Sequence, residues 1–180
     1  MNPDKMGLSS QIALVMKVTE QRTLSFMQTE MGLTARKITR RLDRNEPVSL
    51  RAITAIVGIG SGDGVFIAYS YDESLIRLMT SRFTAELSVQ PDEEALYMRE
   101  TASEVVNIIV GNSTADLARR GQTVNLSPPM LAIGARIIQG RPGTANAVLN
   151  LDFDQGAMDI AFVGPKLLFD EYLNYKEEVA

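Results

Sequence analysis

The sequence predicts an α+β fold, with long helices packed on a largely antiparallel sheet, and three observations carry this. Apolar residues recur at three- and four-residue spacing in two long stretches, one from residue 10 and one from residue 92. Each stretch is followed by segments in which the apolar period drops to two. Two of these β-rich segments, Arg51–Ile59 and Val65–Ser70, are joined by Gly60-Ser61-Gly62-Asp63-Gly64, which reads as a hairpin.

The elements follow in order. Ser9 and Ser10 can cap a helix over 10–31, in which Ile12, Val15, Met16, Thr19, Leu24 and Met27 form the apolar stripe and Gly32 ends it. Residues 33–42 read as a strand, followed by the hairpin. Asp72 stands where it can cap a helix over 73–87, with Leu75, Leu78, Met79 and Phe83 facing inward. Pro91 opens a helix over 92–119. Its first turn holds Asp92, Glu93 and Glu94, its last holds Arg119 and Arg120, and Gly121 sits where a C-cap should. Strands are expected near 122–127, 130–138, 147–154 and 157–163, and a short helix over 165–176. A helix followed by strands thus occurs twice. This suggests two related halves, 10–87 and 92–176, within one domain spanning 1–180.

Composition narrows the chemistry. With no Cys and no His, the chain has no disulfide, thiolate nucleophile, imidazole acid–base group or zinc-thiolate site. Carboxylates, amides, hydroxyls, Lys and Arg remain. The formal net charge of −4 argues against nucleic-acid binding by bulk electrostatics. One basic run, Arg36, Lys37, Arg40, Arg41 and Arg44, reads as a charged strand face or edge, or as a docking patch for an acidic partner. The C-terminal stretch carries Asp170, Glu171, Glu177 and Glu178. Residues 1–20 lack the pattern of an export signal and no apolar run reaches membrane-spanning length, so a cytoplasmic location is expected.

Two apparent motifs fail on spacing. Gly58-Ile59-Gly60-Ser61-Gly62 is no dinucleotide loop, because Asp63 and Val65 stand where its last glycine would be. Asp152-Phe153-Asp154-Gln155-Gly156 is no EF-hand loop, because its glycine comes one residue early and Val163 stands at the closing Glu position.

The helix over 92–119 is the informative element. At about 100° per residue, Ala95, Met98, Ala102, Val105, Val106 and Ile109 share one broad face, and Glu100, Glu104, Asn107 and Gly111 lie roughly opposite. A carboxylate and a carboxamide therefore point the same way from one scaffold. Gly111, which costs about 1 kcal/mol relative to Ala in mid-helix, clears the surface one turn further on for another backbone.

The run Glu100-Thr-Ala-Ser-Glu104-Val-Val-Asn107-Ile-Ile-Val-Gly111-Asn112, with Pro129 following 21 residues after Asn107, resembles the signature of the CheC/CheX/FliY chemotaxis phosphatases. That signature is Asp or Ser, three residues, Glu, two residues, Asn, about 21 residues, Pro. Position 100 departs from it, being Glu. The likeness is greatest to CheX, which has one signature copy. In the first half, Glu20 falls at the equivalent place and Thr23 stands where Asn would be, so that half resembles a degenerate copy.

The resemblance implies a CheC/CheX-like fold, a homodimer, and hydrolysis of the aspartyl phosphate of a CheY-type response regulator. The receiver would supply the phospho-Asp, a Mg²⁺ ion and a Lys, leaving the phosphatase with no metal or cofactor of its own. Positioning is then the main task, and an amide can orient a water without acting as a strong base. Under this reading Asn107 orients the attacking water and Glu104 docks on the receiver Lys. Glu100, Gly111 and Pro129 would support them, Pro129 as a structural neighbour of the helix. The alternative is a receiver-binding or flagellar-switch scaffold related to FliM and FliY, without catalysis. A more distant one is an unrelated module that binds through the sheet, using Met130–Ile138 and Arg36–Arg44.

Overall fold

The computed structural model describes residues 3–169 except 45, 61–63 and 123, with side chains described from Ile12 onward. The elements are α1 (Pro3–Thr29), β1 (Lys37–Arg44), β2 (Val48–Ser49), β3 (Ile53–Ile59), β4 (Val65–Tyr71), α2 (Glu73–Phe83), α3 (Glu94–Arg119), β5 (Met130–Ile133), β6 (Ile137–Ile138), β7 (Thr144–Phe153) and β8 (Gly156–Pro165), closed by a 3₁₀ turn at Lys166–Leu168. This is the predicted α+β class.

Six strands form one sheet in the order β1-β7-β8-β4-β3-β5, every neighbouring pair antiparallel. The short strands β2 and β6 pair as a separate ribbon. Exchanging β1 with β5, β3 with β7 and β4 with β8 returns the same strand order, with β2·β6 mapping onto itself. β4 and β8 meet at the centre, and β1 and β5 form the two edges.

Alternation of side chains gives the sheet two different faces. Ile53, Ala55 and Val57 of β3, Ile67, Tyr69 and Tyr71 of β4, Leu149 and Leu151 of β7, and Met158, Ile160 and Phe162 of β8 are buried in the main core with the apolar stripes of the three helices. On the opposite face the β2·β6 ribbon packs Val48, Leu50 and Ile138 over Ala68, Ala161 and Val163. Each large aliphatic side chain so buried contributes about 1.5–3 kcal/mol.

Several boundaries differ from expectation, each for a local reason. α1 begins at Pro3, so Ser9 and Ser10 lie inside it rather than capping it. Proline suits a first helical turn, where its missing N–H has no intrahelical partner anyway. β1 starts at Lys37 instead of 33, after Leu33 N has bonded Met27 O (2.7 Å) in the wrap-up of α1. α2 stops at Phe83, because Thr84 leaves the helical path. Pro91, Asp92 and Glu93 form a turn ahead of α3, which starts at Glu94.

The strand expected at 122–127 reduces to one bridge, Leu126 with Ile59. Gly60 N still donates to Asn125 O (2.7 Å) and Ser127 N to Gly58 O (3.0 Å). Pro128 and Pro129 have no N–H, so the ladder against β3 breaks there and resumes as β5 at Met130. The strand expected over 130–138 splits into β5 and β6 at Gly134, whose φ of 72° turns the chain. Of the helix expected over 165–176, only the 3₁₀ turn falls among the described residues; residues 170–176 lie outside them.

Asp72 occupies the N-cap position of α2 but makes no side-chain cap bond. Its carboxylate instead accepts from Ala157 N (2.8 Å) and Arg51 Nη1 (2.7 Å). Arg51 also reaches Asp159 (2.6 Å), so one guanidinium ties the β2–β3 connection, the start of α2 and β8 together. Leu75 and Met79 face the core as expected, whereas Phe83 is 38% exposed and stacks on Phe26 of α1.

Candidate functional site

α3 is held at both ends and along one side. Glu94 in its first turn and Arg119 in its last complement the helix dipole. Its C-terminus closes in a Schellman motif: Gly121 N donates to Ala118 O (2.9 Å) and Gln122 N to Leu117 O (2.9 Å), with Gly121 at φ 77°. Met98, Thr101, Ala102, Val105, Val106, Ile109, Val110, Ser113 and Leu117 are buried. Ala95, expected on this face, is exposed, because the helix begins only at Glu94 and its first turn overhangs the core.

Glu100, Glu104, Asn107 and Gly111 are all exposed and form the outward ridge of the helix. Among the described residues, the side chains of Glu100, Glu104 and Asn107 take part in no hydrogen bond or ion pair. Eight other acidic side chains contrast with this. Glu20, Asp43, Asp72, Glu73, Glu94, Asp116, Asp154 and Asp159 each face an arginine. A Cβ added at Gly111 would meet nothing within 4 Å. The gap expected there is open among the described residues.

Pro129 is half-buried in the two-proline break before β5. The structure places it in the connection into edge strand β5, where its missing N–H interrupts the ladder against β3. The basic run lies on edge strand β1, and three of its members are paired: Arg36 with Asp154, Arg40 with Glu20 and Arg41 with Asp43.

The first helix does not present Glu20 and Thr23 as α3 presents Glu104 and Asn107. Glu20 is committed to Arg40 of β1, and Thr23 is fully buried with its hydroxyl donating to Thr19 O (2.8 Å). In α3 the residue that behaves like Thr23 is Ser113, which is buried with its hydroxyl on Ile109 O (2.7 Å). The buried sets match in the same phase: Ile12, Val15, Met16 and Met27 fall with Ala102, Val105, Val106 and Leu117. In that phase, Leu14 and Lys17 stand where α3 has Glu104 and Asn107.

Sequence reasoning missed the tie between the two long helices. Arg22 of α1 donates from Nε and Nη2 to the two carboxylate oxygens of Asp116, each at 2.6 Å. Those bonds hold the Asp116 carboxyl below the ordinary carboxylate range. The partners are 94 residues apart, and no local pattern announces such a contact. Tyr69 and Tyr71, buried between sheet and helices, are pushed up by desolvation and stay protonated. The ridge itself is therefore unpaired carboxylates and an amide, able to hold a water or meet a cation but without a strong base or nucleophile.

A family model described as "Chemotaxis phosphatase CheX" matches residues 53–153, which run from β3 to the end of β7 and include all of α3. The chain belongs to the CheX family. A search of curated proteins finds no match. Among solved structures, a chemotaxis protein from Desulfovibrio vulgaris Hildenborough aligns with a TM-score of 0.69 at 18% identity, over 82% of this chain and 94% of that one. A CheX from Desulfovibrio desulfuricans aligns with a TM-score of 0.68 at 16% identity, over 82% of this chain and 97% of that one. The CheX of a CheX–CheY–BeF3–Mg²⁺ complex from Borrelia burgdorferi aligns with a TM-score of 0.61 at 18% identity, over 83% and 96%. At these identities the likeness shows a shared fold, the CheX-like α+β arrangement. Among the described residues, no helix of this CheX-family chain is long and apolar enough to cross a membrane.

Proposed function

We propose that this CheX-family chain is a phosphatase that hydrolyses the aspartyl phosphate of a CheY-type response regulator. The observation that carries the reading is the unpartnered ridge: Glu104 and Asn107 project from a rigidly packed helix, and neither has a partner among the described residues. An acyl phosphate hydrolyses readily, so the enzyme's share is to place a water in line. The Asn107 carboxamide can accept a hydrogen bond from that water through Oδ1 and donate one to a phosphoryl oxygen through Nδ2. Glu104, one turn earlier on the same ridge, meets the receiver Lys in a charge-assisted contact that fixes the approach. The Mg²⁺ belongs to the receiver.

The test uses candidate receivers charged with acetyl phosphate, following phosphate loss with and without the protein. Wild type should accelerate the loss. Asn107→Ala should lower kcat by about a hundredfold, the scale of a lost positioning contact. Glu104→Ala should chiefly raise KM, since a charge-assisted hydrogen bond is worth about 1.5–3 kcal/mol. Full activity of Asn107→Ala would reject the water-positioning role. Receiver binding without any acceleration would favour the scaffold reading, for which Glu100, in place of the signature's Asp or Ser, is the sequence feature in support.

We further propose a homodimer. Sedimentation should return about twice the 19.8 kDa of one chain, and a single-chain mass would reject it.

A further inference from the structure

A groove of about 470 Å³ lies beside the α3 ridge, between the C-terminal turns of α1 and α2. Ile108 and Asn112 of α3 line it. These two residues extend the i, i+4 row that begins at Glu104, so the groove opens directly from the proposed docking ridge. Phe83 stands on its α2 side, stacked on Phe26 with ring centroids 6.4 Å apart and still 38% exposed.

The ridge is acidic, whereas the groove beside it mixes two guanidiniums with the Glu30 carboxylate. The ridge carries the unpaired carboxylates of Glu100 and Glu104. The groove carries two guanidiniums, and only one of them is committed: Arg22 is bound bidentately by Asp116. Arg82, exposed in the last turn of α2, makes no ion pair among the described residues. It lies against Gly32, at whose missing Cβ its Nη1 would be 3.5 Å away. Glu30 also lines the groove, where its carboxylate accepts from the Thr29 hydroxyl (3.3 Å). An exposed cation next to an exposed aromatic face suits a surface segment with a carboxylate beside an apolar side chain.

We infer that Arg82 and Phe83 form a second docking point for the receiver engaged by Glu104 and Asn107, taking an acidic and an apolar side chain from that receiver's surface. The inference rests on the phosphatase reading. A partner that offers a Lys to Glu104 and a carboxylate to Arg82 is favoured in one orientation. Reversing it sets like charges together at both ends, so the pair of contacts selects the receiver and fixes its register.

The test measures phosphate release against the concentration of charged receiver, with binding of a beryllofluoride-charged receiver in parallel. Arg82→Glu should raise KM and Kd at least tenfold while the rate at saturation holds. Phe83→Ala should raise them severalfold, and added salt should weaken wild-type binding more than that of Arg82→Gln. Arg82 is exposed, so its variants keep the test alive should Phe83→Ala fail to fold. Wild-type acceleration with unchanged KM and Kd for Arg82→Glu would overturn the groove and leave the phosphatase reading standing. Weakened binding of Arg82→Glu to a receiver that wild type binds but does not dephosphorylate would support the groove and reject the catalysis. No binding to any receiver would reject both. A changed molecular mass for Arg82→Glu, with receiver affinity intact, would give the groove to a second copy of the chain and overturn the inference.

Discussion

Gly111 shows how a single position can be held between stability and contact. It sits in the middle of α3, where Ala would be preferred by about 1 kcal/mol, and a methyl group there would meet nothing within 4 Å among the described residues. Gly111→Ala should therefore raise Tm by about 2–4 °C, the shift that 1 kcal/mol produces in a domain of this size. If the receiver's backbone comes down on the ridge one turn after Asn107, the same methyl group should raise KM. Thermal melts and phosphate-release kinetics on the one variant check both. A higher Tm with unchanged KM would show that nothing approaches Gly111. The outward direction of Glu104 and Asn107 was legible from spacing, because a 100° step puts them roughly opposite the buried face around Val105 and Ile109, while their choice as a pair came from the resemblance to the phosphatase signature. Ala95 was misassigned by the same rule, since spacing fixes direction and not where the supporting core ends.

Between elements, the Arg22–Asp116 pair joins α1 to α3 near the groove. Arg22 lowers the Asp116 pKa relative to the unfolded chain. The pair's contribution is thus fully present above the ordinary carboxylate range and is lost as pH falls through the lower folded value. The Tm gap between wild type and Asp116→Asn should stay constant near neutral pH and close as pH falls below the ordinary carboxylate range. A gap that persists in acid would mean that the ion pair does not link the helices. Local signals served well where the cause was local: the hairpin at Gly60–Gly64 and the C-cap at Gly121 could be read directly. They failed where a distant partner decided. Asp72 reads as a cap, yet Arg51 and Ala157 take its carboxylate. Thr23 reads as the counterpart of Asn107, yet packing against the sheet turns it inward to match Ser113. The run 122–127 has a strand's period, but Pro128 and Pro129 deny it a continuous ladder.

At the scale of the molecule, the two helix-and-strands stretches were visible in the sequence, but the way they interlock was not, because strand partnership is settled by the whole sheet. β1 lies beyond β7 and β8, and β5 lies beyond β3. Each half therefore lends its edge strand to the strands of the other. Lys37 pairs with Asp152 and Arg44 with Ala145, so β1 has no neighbour until the chain has reached β7. During synthesis on a ribosome, this eight-residue strand must wait with both hydrogen-bonding edges open, a state prone to pairing with the wrong chain. The basic run that looked like a docking patch has a use at that moment. Lys37, Arg40, Arg41 and Arg44 repel a second copy of the same strand until β7 arrives to claim it.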